Sequence, residues 1–362
     1  METFRRMVNE CIRIGLDCNK TSMKALCKLC YPRLKGFAVD SRYRLCAISR
    51  AAGILKNYRK LLKRHHVEIP YCTRPMLTTC YGIRVDDGLL SLPSKVKIPL
   101  NSHTINVISE SWLELRSVTL TATSLSIAYT KLIKPMQSTG MIGLDSNLDN
   151  ITLADTKGDS IRYDLSKVTH IKAMARQTKR KFRRNDRRIR RSIYLKYGNL
   201  EKDRAGWILH NVSSSIVKRA NEFKMAITME NLRGIRKLYR KGNGQGKDYR
   251  FKMNSWSYRE LQRQIDYKAR WEGIPVYYVN PRGTSVRCSR CDDRMFVKEG
   301  RTLGCSSCGL TIDRDVNAAR NIMEGGLRFS PDGSPSEAMV AEREPRDVTL
   351  IRTVDGGNNA HQ

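Results

Sequence analysis

The sequence predicts a multidomain α+β protein: a helical and then β-rich N-terminal half, followed by an alternating α/β core with an inserted four-cysteine module. Three observations carry that expectation. The hydrophobic period changes from helical to alternating near residue 74, strands and helices alternate from Met141 onward, and CxxC pairs stand at Cys288/Cys291 and Cys305/Cys308. A chain of 362 residues has room for two to three domains, one of them with a sizeable core.

Residues 1–68 form the helical region. Apolar spacing over 6–16 predicts a first helix, and residues 19–22 break it and cap a second. Asp40 and Ser41 open a third, carrying Leu45, Ile48, Ala52, Leu55 and Tyr58 with Lys56, Arg59, Lys60, Lys63 and Arg64 on other faces. Residues 69–136 form the β-rich module. A strand over 81–85 meets Asp86-Asp87-Gly88, a hairpin turn signal, and returns over 89–92. Further strands follow over 95–99, 116–123 and 124–129, and Pro135 with residues 137–140 makes a short linker.

The core spans 137–323. Its first strand alternates Ile142 and Leu144 with Gly143 and Asp145, a turn at 147–150 feeds a second strand, and Lys157-Gly158-Asp159 turns into a third. These three antiparallel strands place a carboxylate at the centre of an open sheet, which is costly unless it is paired or binds a cation. Residues 176–191 hold ten basic residues in sixteen and run into a helical segment reaching about Phe223. Such a segment repels itself unless it lies along phosphates, so Lys179, Arg180, Arg183, Arg184, Arg187 and Arg188 are the candidate nucleic-acid contacts of a bridge helix. A buried strand over 224–232 ends at Glu230, residues 233–250 read as a mobile basic loop, and an amphipathic helix reaches Trp271. Another strand over 274–279, the cysteine module and a helix over 316–323 complete the alternation. Residues 324–362 read as a disordered tail.

Two CxxC knuckles thirteen residues apart are the strongest local signal. Each lets two sulfurs on one turn converge on an ion, and Zn2+ prefers four thiolates in a tetrahedron. Cys288, Cys291, Cys305 and Cys308 are therefore expected to hold zinc in a ribbon over 284–312, with Gly309 serving the tight second knuckle. A closed four-cysteine site leaves no position for water, so this zinc is structural. Seven further cysteines (Cys11, Cys18, Cys27, Cys30, Cys46, Cys72 and Cys80) lack a paired metal pattern and read as buried apolar residues.

Sixty-seven Lys and Arg against 35 Asp and Glu give a formal charge of +32 and make a polyanionic partner the default. The chain has neither a long apolar run nor a signal-peptide pattern over residues 1–15, so a membrane partner is not expected and the product should stay in the cytoplasm, with the nucleoid. Asp145 ends the first core strand, Glu230 ends a later one, and Asp315 opens the last helix. Three carboxylates on neighbouring elements can hold two Mg2+ ions, which accept oxygen ligands and keep positions open for water and phosphate. Spacing alone does not single out these three from the 35 acids.

A resemblance does. The order GLDSNLDNITL, ITMENL and TSVRCSRC…CSSCGLTIDRDVNAARNI resembles the RuvC-like (RNase H-like) nuclease core of the TnpB family, the OrfB-type transposon-encoded relatives of type V CRISPR effectors. The match runs from about Met141 to Met323. It implies that Asp145, Glu230 and Asp315 are the catalytic Mg2+ ligands, with Asp313 and Asp149 as alternatives for the third and first positions. It also implies an RNA-guided DNA endonuclease whose guide and scaffold RNA comes from the transposon end, and an N-terminal half made of a recognition-like helical region and a β-rich wedge. In such systems base pairing reads the target, and the protein reads a short adjacent motif and duplex shape. Members of the family usually carry a short strand before the first helix, whereas this chain opens almost directly into ETFRRMVNECIRIG, so a weakened wedge sheet is expected. A non-cleaving nucleic-acid-binding accessory, a strand-transferring transposase and a compact CRISPR effector are the competing functions. Oligomeric state is not legible in the sequence.

Overall fold

A computed structural model describes residues 1–63, 66–109 and 113–328, with the backbone of a further strand at 348–355. It divides into two compact units, Met1–Leu132 with the C-terminal strand, and the chain from Ile133 onward. The helical region and the β-rich module thus share one unit, and the break falls at Leu132 rather than after residue 136.

In the first unit, α1 (Glu2–Asp17), α2 (Met23–Leu34) and α3 (Ser41–Leu62) enclose Phe4, Met7, Leu26, Leu34, Ile48 and Leu55. The caps are those the sequence offers: the Ser22 hydroxyl accepts from the Ala25 amide at 3.3 Å and the Asp40 carboxylate from the Arg42 amide at 2.9 Å. The chain continues through β1 (Leu77–Thr79), β2 (Arg84–Asp86), β3 (Leu89–Leu92), β4 (Val96–Pro99), α4 (Ser102–Ile108), β5 (Leu113–Leu120) and β6 (Ser124–Lys131). The β2–β3 turn has Asp87 and Gly88 at φ 49° and 72°, the left-handed pair a two-residue hairpin needs. The strands β2, β3 and β4 form one antiparallel sheet, and β1, β5 and β6 belong to another, the two sharing a core of Leu90, Leu92, Val118, Leu125 and Ile127. Cys11, Cys30 and Cys46 lie in the helical core as expected, but Cys18 and Cys80 are exposed.

In the second unit, β7 (Gly140–Ser146), β8 (Asn150–Asp155) and β9 (Ser160–Asp164) form the expected antiparallel meander. After α5 (Ser166–Lys181) and α6 (Arg187–Glu222) comes β10 (Met225–Glu230), parallel to β7; then α7 (Lys247–Ser255), α8 (Tyr258–Trp271) and β11 (Val276–Val279), parallel to β10. The sheet order is β11-β10-β7-β8-β9. A small antiparallel sheet of β12 (Phe296–Glu299), β13 (Thr302–Gly304) and β14 (Thr311–Asp313) then leads into α9 (Arg314–Leu327).

Three expectations change here. The basic stretch is not one bridge helix: residues 182–186 interrupt it, and Asp186 caps α6 through the Arg188 amide at 2.7 Å. Residues 233–250 are not a plain loop but hold a 3-10 turn at Ile235–Tyr239 and the start of α7. The stretch read as a disordered tail contains the end of α9 and β15 (Val348–Asp355), which pairs antiparallel with β6 at the edge of the β1-β5-β6 sheet. The remaining residues of that stretch lie outside those described.

Alternation along the strands decides what faces what. Ile142 and Leu144 of β7 and Ile227 and Met229 of β10 join Leu209, Ile216, Leu261 and Ile265 of α6 and α8 in the main core. The intervening residues of both strands turn to the other face, where α9 lies. Met141 and Ala226 pack there on Met323. A Cβ on Gly143 would collide with the Ala319 carbonyl and the Met323 amide, so the bare glycine lets the α9 backbone rest on the sheet. Gly326 meets Thr228 in the same way.

Candidate active site and metal centre

The same period-two alternation that sends Met141 and Gly143 toward α9 sends Asp145 there, and that of Ala226 and Thr228 sends Glu230. Met229 stands opposite Leu144 in the parallel register, so Asp145 and Glu230 end adjacent strands at one level. Asp315 arrives from the first turn of α9, where the helix N-terminus favours a carboxylate. All three are buried, with relative exposures of 7%, 7% and 1%. Burial, and after it the charges of Glu230 and Asp315, push the Asp145 carboxyl up to about 7. Burial also raises Glu230, opposed by the Thr284 hydroxyl, which donates to Glu230 Oε1 at 2.7 Å.

A hydrogen-bonded shell fixes these carboxylates. Asn147 Nδ2 donates to Asp145 Oδ2 at 2.7 Å, and Gln262 Nε2 donates to the Glu230 carbonyl at 2.8 Å. Asp315 meets cations: Arg301 from the β12–β13 turn, Arg162 from β9 at 3.4 Å and Arg314 at 3.7 Å. None of these partners is marked by local sequence pattern. Thr284 lies 54 residues from Glu230 and Arg162 lies 153 from Asp315, so only the folded sheet brings them together.

The two alternative acids have other occupations. Asp313 caps α9 through the Asp315 and Val316 amides at 2.9 and 3.2 Å and binds Arg162 at 2.7 Å. Burial works against its charge, but Arg162 and those amides hold its carboxyl below the usual range. Asp149 is partly exposed and stands 3.9 Å from the Lys252 ammonium. Three buried acids, two of which raise the proton affinity of the third, Asp145, through their charges, suit a hard divalent cation with oxygen ligands, as Mg2+ is.

The cysteine module is a contrasting arrangement. One ligand atom from each of Cys288, Cys291, Cys305 and Cys308 lies within 4.8 Å of the others, and among the described residues this is the one cluster of His, Cys, Asp or Glu that meets that distance. The closest cross-knuckle sulfur pairs, Cys288–Cys308 and Cys291–Cys305, are 3.5 Å apart. Both knuckles close on a left-handed residue: Gly309 at φ 70° bonds back to the Cys305 carbonyl at 3.0 Å, and Asp292 at φ 62° bonds to the Cys288 carbonyl at 2.9 Å. The Cys308 amide leads the contacts that bring the Cys305 thiol down to about 7, whereas hydrogen bonds among the thiols outweigh the Asp293 and Leu310 amides and raise Cys291 and Cys308. Four soft sulfurs at this spacing fit Zn2+. Asn317 of α9 anchors the module, accepting from the Ser289 amide at 3.0 Å and donating to the Arg287 carbonyl at 2.7 Å.

The basic candidates divide. Lys179 is paired with Glu201 at 2.9 Å, and Arg188 is highly exposed beside Asp186 at 3.4 Å. Arg180, Arg183, Arg184 and Arg187 are exposed around the α5–α6 junction. No helix among the described residues is long and apolar enough to cross a membrane.

Residues 258–322, from α8 through the cysteine module into α9, match the family model Cas12f1-like, TNB domain. The chain is 28% identical over 269 residues to a TnpB-like protein of Methanocaldococcus jannaschii, covering 68% of this chain and 96% of that one. It is 38% identical over 119 residues to the CRISPR-associated endodeoxyribonuclease Cas12f1 of Sulfoacidibacillus thermotolerans, covering 31% of this chain and 25% of the relative. Among solved structures, Cas12f1 in a complex with sgRNA and target DNA shares the fold, with a TM-score of 0.56 at 13% identity, over 89% of this chain and 80% of that one.

Proposed function

This chain is a member of the TnpB family, and we propose that it is an RNA-guided, Mg2+-dependent DNA endonuclease encoded by a transposable element and built on a RuvC-like core. One observation carries the proposal: Asp145, Glu230 and Asp315, buried and electrostatically coupled, stand on the one sheet face that α9 covers. A protein that only bound nucleic acid would gain nothing from burying three carboxylates together, since each is costly without a cation.

In this proposal Asp145, Glu230 and Asp315 would hold Mg2+ beside the DNA phosphate to be cut. Bound there, the metal supplies an activated water and stabilises the leaving 3′ oxygen. The chain's own part is positioning. Asn147 and Thr284 orient Asp145 and Glu230, and Arg162, Arg301 and Arg314 balance Asp315. The zinc module has a structural role, because Asp315 begins seven residues after Cys308 and its helix is anchored to the module through Asn317. The net charge of +32 supports RNA and DNA partners, and the relative solved with sgRNA and target DNA makes the guide the expected reader of sequence.

The test is cleavage of plasmid DNA by the protein co-expressed with its own downstream locus, with co-purified RNA sequenced from the same sample. Mg2+-dependent cutting directed by that RNA, and lost in Asp145→Ala, is expected. Strand-transfer products in place of cut ends would favour a transposase, and RNA binding without cutting would favour an accessory.

A further inference from the structure

The 36-residue helix α6 has two opposite apolar faces, and only one is covered. Ala205, Leu209, Ser213, Ile216, Val217 and Ala220 are buried against the unit's core. On the other side Ile189, Ile193, Leu200 and Trp207 follow one another at helical spacing, Ile189 and Trp207 being eighteen residues, about five turns, apart. Ile189 is 50% exposed, Leu200 is 37% exposed and Trp207 is 68% exposed. Tryptophan is largely buried on average, so an indole that stands mostly in solvent on a rigid helix calls for a partner.

The charges beside the stripe say which kind. Lys196, Arg204 and Lys218 lie on the same side of the helix, exposed, and none has an acidic partner among the described residues. Asp203 and Glu222 are the acids on that side, against a larger number of cations. A second copy of this chain would bring the same cations against themselves, and an apolar protein groove would leave them unpaired. An aromatic platform flanked by free cations fits a strand that offers π-faces and phosphates together.

We propose that Trp207 is a stacking platform for an unpaired base of the RNA, with Lys196, Arg204 and Lys218 taking its flanking phosphates. This rests on the RNA-guided function proposed above and adds a site to it, on the helix face remote from the core. RNA is the expected occupant because folded RNA exposes unpaired bases in loops and bulges, which proteins commonly read by stacking on aromatic side chains.

The test measures binding of the full chain to a labelled 20-nucleotide oligoadenylate RNA and to a blunt RNA duplex, over a range of salt. Trp207→Ala should weaken oligoadenylate binding about five- to hundredfold and leave the salt slope unchanged, because stacking releases no counterions. Trp207→Phe should recover most of that loss, and duplex binding should barely change. Lys196→Ala with Arg204→Ala should instead reduce the salt slope by about two counterion units. Photocrosslinking of the complex formed with RNA from the native locus should put an RNA adduct on the peptide containing Trp207. Equal loss on duplex and single strand, an unchanged affinity in Trp207→Ala, or an adduct from DNA alone would overturn the proposal while leaving RNA guidance intact. A dimer lost in Trp207→Ala with RNA affinity unchanged would assign the face to a second copy. Failure of the wild-type chain to bind either RNA would overturn the stacking site and the RNA-guided function together.

Discussion

The carboxylate cluster and the cysteine module stand at the two ends of one short connection, and they concentrate ligands in opposite ways. Asp145, Glu230 and Asp315 are set by a sheet and helix with a large apolar core beneath them. The thiols of Cys288, Cys291, Cys305 and Cys308 are set by two tight turns around a core of only a few side chains, chiefly Met295 and Leu303. The acid site has its scaffold before any ion arrives and loses stability by holding like charges together. The thiol site has little scaffold without an ion, so its metal should act as its core. A site meant for reaction can tolerate repulsion in exchange for open coordination, whereas a structural site closes.

Removing one carboxylate should give the largest effect. Asp145→Ala should lower Mg2+-dependent cleavage on the order of 10^3-fold or more, several kcal/mol of lost charge stabilisation, while the chain stays folded and keeps its zinc. Cleavage and circular dichroism on the same preparation check this. An unfolded variant would mean that the acids, like the thiols, hold the structure.

Cys288→Ser should do the reverse. Zinc content should fall, and limited proteolysis should open the chain between residues 284 and 312 while the five-stranded sheet persists. Cleavage should also be lost, because Asn317 ties the module to the helix that presents Asp315. Retained cleavage with the zinc gone would separate the two sites.

The third prediction concerns pH. The folded-state pKa of Asp145 is raised to about 7 from an ordinary 3.8, so between those values the folded chain binds more protons than the unfolded one. Stability without Mg2+ should therefore fall as pH rises through that window, by up to about 4 kcal/mol from this group. Asp145→Asn should flatten the fall and raise the melting temperature above pH 7 even as it abolishes cutting. Identical pH profiles for variant and wild type would contradict a strained acid cluster.

The smallest effect belongs to the positioning shell. Thr284→Val removes the hydrogen bond to Glu230 and should reduce cleavage about five- to tenfold, with Thr284→Ser restoring most of it. Steady-state cleavage rates across a Mg2+ titration would show the loss.

What could be read from the chain was what local pattern encodes. Ser22 and Asp40 announce their helices, Asp87-Gly88 its hairpin, and the period-two strands put Asp145 and Glu230 at strand ends. The CxxC spacing announces a cluster that the fold then closes to within 4.8 Å. Picking three acids from 35 needed the family resemblance, since no local pattern marks a carboxylate as convergent. The helix α7 escaped notice because it buries no residue and so shows no apolar period. The break at residues 182–186 was hidden by basic residues that suit helix and loop alike. Thr284, Arg162 and Arg301 became visible only in the fold, because their partners lie across the tertiary structure rather than along an element.

The most direct measurement compares wild type and Asp145→Ala, each co-expressed with the native locus and each assayed for zinc before addition of plasmid. One zinc per chain in both, with RNA-directed, Mg2+-dependent cutting in the wild type alone, is the predicted result. Cutting by Asp145→Ala, or zinc lost together with Asp145, would contradict the division between a carboxylate site that reacts and a thiolate site that holds.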